Sequence, residues 1–157
     1  MDNQKLLSLR MELLWWLVTL VVVTLVLFPI FRLEPVGFPF WKINTIFIVI
    51  FITLTRYVFL LKHTFLGYIQ WMKVAVIVLC IPLFLYLIDQ LHFFQDYMDK
   101  IGLEEEFDHL SLNGQASIIS YIDSEMIFFG VGSLICSVFL PFRMLISFWR
   151  MHNRGTV

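Results

Sequence analysis

Charge is what this sequence has least of. Only 15% of its 157 residues are Asp, Glu, Lys or Arg, against 60% hydrophobic residues and a mean hydropathy of +0.85. Soluble domains carry about 25% charged and about 45–50% apolar residues, so a water-soluble fold would leave much of this chain's apolar surface uncovered. The net charge of −1 supplies no overall basic field, and no nucleic-acid partner is expected.

Cysteine is nearly absent as well. Cys80 and Cys136 are the only two, each inside an apolar run, with neither a C-x-x-C nor a metal-ligand spacing; they read as small buried hydrophobes. The sequence has no G-x-S-x-G, no Gly-rich phosphate loop and no H-E-x-x-H. No catalytic residue, metal or cofactor is therefore assigned, and the chain is read as not an enzyme. His63, His92, His109 and His152 all lie at or beyond the ends of apolar runs, where they do not supply the facing axial ligands of a membrane haem. An acid deep inside the first run and cysteines in the long polar stretch are also missing, which removes the four-span classes that depend on them.

What the chain has is long apolar runs. Leu13 to Phe31 is uncharged for 19 residues, close to the roughly 20 that cross about 30 Å of hydrocarbon. Retained as an anchor rather than cleaved as a signal, it gives a first transmembrane helix over about 12–32. A second is predicted over about 42–62. A third covers about 69–92, with Lys73 snorkelling outward at one edge, Asp89 at the other and Pro82 between them. A fourth covers about 126–149. Between the first and second, Pro35, Gly37 and Pro39 predict a tight turn, with Phe38, Phe40 and Trp41 resting at the membrane interface. The stretch from about 93 to 125 is polar but amphipathic, and predicts one or two short interfacial helices, apolar face down. The fold class expected is an all-α integral membrane protein: one domain over 1–157, a four-helix transmembrane bundle with interfacial helices between the third and fourth spans.

Charge then sets the orientation. With the N-terminus inside, Lys5, Arg10, Arg56, Lys62, Lys73, Arg143, Arg150 and Arg154 are inner, and Arg32, Lys42 and Lys100 outer, eight against three. This is the positive-inside bias, and it predicts a multi-pass protein of the plasma (inner) membrane with both termini cytoplasmic. The acids lie mostly outside, Asp89 and Glu125 counted among them.

The fourth run carries small residues on two sides. Gly130, Ser133 and Ser137 fall together on a 3.6-residue helix, with Gly132 and Cys136 roughly opposite, which predicts close packing against two neighbours at once. Two further groups are candidate sites. Glu12, Arg56 and Arg143 form an inner-leaflet charge layer in which a Glu12–Arg56 or Glu12–Arg143 pair is expected. Glu104, Glu105, Glu106, Asp108 and His109 form an acidic cluster, read as a solvated face and a candidate partner surface.

The function expected is a non-catalytic accessory or interaction subunit of a larger membrane protein complex, packing through the fourth span and the acidic outer segment. Its partners are the lipid bilayer and other integral membrane subunits. The alternative is a small homo-oligomeric transporter or channel, lined by residues such as Asn44, Thr45, Thr53, Arg56, Tyr86, Asp89 and Ser137. A lipid-active enzyme built on Glu104–His109 ranks last.

Overall fold

The computed structural model describes the backbone of residues 3–33, 38–61, 64 and 70–153, and the side chains of 9–33, 38–61, 64 and 71–150. Four helices account for almost all of them: α1 (Asn3–Leu33), α2 (Trp41–Leu60), α3 (Gln70–Lys100) and α4 (Leu112–Asn153), with no strand among the described residues. All four are long and apolar enough to cross a membrane. Pro35, Gly37, Lys62 and His63, and the side chains of Lys5, His152 and Arg154, lie outside what is described.

The helices alternate in direction, so the start of α1 and the end of α4 share one end of the bundle, hereafter the termini end. The other end, holding residues 101–111, is the loop end. In cross-section the order is α1–α2–α4–α3. Helix α4 packs along both α2 and α3, whereas α1 lies chiefly on α2 and touches α4 little. The α4 sequence explains its central place. Ile118, Ile122, Met126, Phe129, Ser133, Ser137, Leu140 and Met144 recur every three or four residues and are all buried, the spacing of one continuous helix face.

Two features depart from the sequence reading. Residues 93–125 do not form separate interfacial helices. Instead Phe93 to Lys100 continue α3, and Leu112–Glu125 open α4, making these helices about 46 and 63 Å long. Between them Gly102, at φ +79°, ends α3; the Tyr97 carbonyl accepts from the amides of both Ile101 and Gly102, at 2.9 and 3.0 Å, a turn that a left-handed glycine permits. Residues 101–111 are turns, pinned by Leu103 and Phe107, both fully buried.

Nor do Phe38 and Phe40 rest at an interface. Both are buried, and the Phe40 ring sits 5.3 Å from that of Phe94 and 4.8 Å from that of Tyr97. The apolar side of the extended α3 therefore finds these aromatics rather than lipid, and burying such rings is worth more than their edge contacts alone. Trp41 stays exposed, with the Lys42 ammonium 5.5 Å from its ring centre.

Candidate functional site

The small residues of α4 are occupied within the chain. A Cβ on Gly132 would come within 2.6 Å of the Phe51 ring of α2. One on Gly130 would meet Leu91 of α3 at 2.9 Å and Phe47 of α2 at 3.2 Å. The Ser133 hydroxyl donates to the Phe47 carbonyl at 3.0 Å, and Cys136 Sγ lies 3.3 Å from Thr55 Oγ1. Ser137 is buried and donates to Leu134 of its own helix. The two sides are thus not divided one per neighbour. Gly132, Ser133 and Cys136 all meet α2, and Gly130 fills the corner between α2 and α3.

Near the termini end, the structure joins Glu12 and Arg56, with Arg56 Nη2 2.6 Å from Glu12 Oε1. Arg56 is only 6% exposed. Its guanidinium stands 5.9 Å from the Trp15 ring centre and 5.5 Å from that of Tyr57, within cation–π range. Arg143 does not join this pair. Its Nε donates to the Val58 carbonyl at 3.1 Å, supplying a donor to the last turn of α2, whose carbonyls have no helical partner. Lys73 does not snorkel; it is fully buried, and its ammonium donates to Ser147 Oγ at 3.1 Å across the α3–α4 seam.

Near the loop end lies a site that the sequence reading missed. Glu125, counted there among the outer acids, is 8% exposed, and Asn44 of α2 is fully buried and donates to its carboxylate. Glu125 Oε2 and Asn44 Oδ1 have no hydrogen-bond partner among the described residues. The signal was present: Asn44 is the one amide in its apolar run, and Glu125 precedes Met126 on the buried stripe of α4. Between Asn44 and Arg56, about 18 Å apart along α2, the inward residues are Phe47, Ile48 and Leu54. The two polar ends are therefore separated by apolar packing.

The acidic cluster does not converge. Glu104, Glu105 and Asp108 are exposed, Glu106 accepts from the Tyr97 hydroxyl at 2.9 Å, and His109 Nε2 lies 3.1 Å from the Leu33 carbonyl. No group of three metal-ligating side chains occurs among the described residues.

The remaining acid of interest is Asp89. Leu91 and Phe47 flank the same point on α4, and Phe47 is about 9 Å along α2 from Trp41. Asp89, two residues nearer the termini end than Leu91, is thus level with a point about 12 Å into the roughly 30 Å of α2. That level falls within the length of α2 and not beyond its end. On α3 the buried residues Cys80, Leu87, Leu91 and Phe94 face α4. Asp89 is on the opposite, exposed side with Val78, Leu85, His92 and Phe93, and it accepts from Gln90 Nε2 at 3.1 Å.

Compared with protein families, curated proteins and solved structures, the chain matches none of them. The reading of function therefore rests on its own residues.

Proposed function

We propose that this chain is a non-catalytic interaction subunit of a larger membrane complex, spanning the plasma (inner) membrane four times with both termini cytoplasmic. The observation that carries the reading is the uneven covering of the four helices. In the apolar windows of α1 and α3 only 17% of residues are buried, against 39% in α4. Helix α4 sits in the middle and its small residues are already in contact, so a partner is received by the edge helices α1 and α3 rather than by α4. The acidic loop end supplies a polar rim to that contact.

Uncovered apolar faces alone suit lipid as well as protein. Asp89 separates the two. An Asp within a membrane helix costs up to about 3 kcal/mol on insertion scales, and such residues in spans usually face a partner or a wet cavity. The reading is tested by extraction in a mild detergent followed by native mass measurement. A stoichiometric larger complex containing a second membrane protein is expected; a chain that runs only as a monomer or as copies of itself overturns it.

The second reading, a homo-oligomeric transporter or channel, is favoured by the enclosed Glu125–Asn44 pair with its two free acceptor oxygens. It predicts ion or solute flux from the purified chain in liposomes that Glu125→Leu abolishes. The apolar packing between that pair and Arg56 is why we rank it second.

A further inference from the structure

We propose that Asn44 and Glu125 form a binding site for one proton in the α2–α4 seam. Glu125 is there a neutral carboxylic acid, donating from Oε2 to Asn44 Oδ1 while Asn44 Nδ2 donates to Glu125 Oε1. The site goes beyond the interaction-subunit reading and does not depend on it.

Two oxygens carry the inference. Asn44 is fully buried, Glu125 is 8% exposed, and the Asn44 amide donates to Glu125 Oε1. The other oxygen of each group, Asn44 Oδ1 and Glu125 Oε2, is buried without a hydrogen-bond partner. An amide oxygen and an ionised carboxylate oxygen are both acceptors and cannot satisfy each other. An ionised Glu125 would also enclose a negative charge met by a single amide. Burying an unpaired carboxylate is so costly that such a group takes up a proton instead. One proton on Oε2 answers both deficits. A primary amide and a carboxylic acid set edge to edge make two hydrogen bonds, one from the N–H and one from the O–H, and both orphaned oxygens are then used.

The titratable groups of the packed elements are directed elsewhere. On α2, Lys42 is exposed and lies over the Trp41 ring. On α1, Arg32 is exposed, and the Val26 carbonyl accepts at 2.9 Å from the hydroxyl of Tyr121, one turn before Glu125 on α4. Asp123 of α4 is two residues away, about 200° round the helix. Helix α3 turns Leu91 and Phe94 into this core, while His92, Asp96 and Lys100 are exposed. On the 101–111 turns, Glu106 accepts from Tyr97 and His109 Nε2 lies beside the Leu33 carbonyl. A metal cation would also supply charge, but Ca²⁺ takes about six to eight oxygen ligands and Mg²⁺ an octahedral set. Beyond the pair, the one buried side-chain oxygen without a partner among the described residues is Glu106 Oε2, on those turns. Two oxygens suit a proton. Its departure would leave the charge in the seam, so α2 and α4 hold together most tightly while it is bound.

The test is infrared spectroscopy of the full chain, folded in detergent, at neutral pH, where solvated carboxyl groups are ionised. The spectrum is expected to show the carbonyl stretch of a protonated carboxylic acid. Glu125→Gln should remove that band. This variant keeps the two-bond pairing, because the glutamine amide donates where the acid did, so its helix content by circular dichroism should match wild type. Asn44→Leu takes away the acceptor and should shift the band to higher frequency. A folded wild-type chain without the band at neutral pH overturns the inference, and so does a band that survives Glu125→Gln. A band that Asn44→Leu leaves unshifted overturns it as well, since the proton would then sit on Glu125 without Asn44 as its acceptor.

Discussion

Glu125 and Asp89 are two acids in the loop-end half of the same bundle, and they are treated in opposite ways. Glu125 points inward from α4, is enclosed, and receives the amide of Asn44. Asp89 points away from α4 on α3, on a side that carries Leu85, Tyr86, His92 and Phe93, and accepts from the neighbouring Gln90 amide. The difference is one of helix face. On α4 the position of Glu125 falls on the buried stripe, so folding itself brings a partner to it. On α3 the position of Asp89 is nearly opposite Leu87 and Leu91, where the fold brings nothing. Polar groups that face inward are met across a helix seam, whereas Asp89, facing outward, accepts only from its chain neighbour among the described residues.

That comparison can be broken at several points. The largest effect is expected at the inward charge near the termini end. Arg56→Met removes the partner of Glu12 and the cation between Trp15 and Tyr57, and should cost about 3 kcal/mol of thermal stability in detergent. Adding Glu12→Gln should restore much of it. If Arg56→Met melts like wild type, inward pairing is not what holds this end.

Next comes Asn44→Leu, which leaves the Glu125 carboxyl group enclosed without its donor and should cost about 2 kcal/mol, the usual penalty for an orphaned buried polar group. Gly132→Ala comes third. Its new methyl would meet the Phe51 ring at 2.6 Å, and an overpacked seam costs about 1–2 kcal/mol. The smallest effect is expected at Asp89. In the isolated chain Asp89→Leu should move stability by less than about 0.5 kcal/mol, because among the described residues only the neighbouring Gln90 is bonded to it. A loss as large as that for Asn44→Leu would mean that Asp89 has a partner inside the chain, and the contrast would collapse.

The number of long apolar helices and the choice of α4 as the packing helix were legible, because both rest on run length and on residues recurring every three or four positions. The pairing of Glu12 with Arg56 was legible as one of two options, since both lie one or two turns from the same end. The ends of the helices were not. Polar residues from Phe93 to Glu125 hide a buried set, Phe94, Leu103, Phe107, Ile118 and Ile122, whose partners Phe38 and Phe40 come from a distant turn. An amphipathic pattern says that one side is covered without saying by what. Lys73 was misplaced for a related reason. It was assigned by distance from the end of an uncharged run, whereas the face it occupies turns it into the α3–α4 seam.

The most direct measurement is the depth and surroundings of residue 89. With Cys80→Ala and Cys136→Ser, a spin label at Asp89→Cys in reconstituted bilayers of the isolated chain should collide with dissolved oxygen and not with a water-soluble paramagnetic reagent. The same label at Glu105→Cys should show the reverse. Free access of the water-soluble reagent to position 89 would contradict a four-span bundle that presents this face of α3 to hydrocarbon.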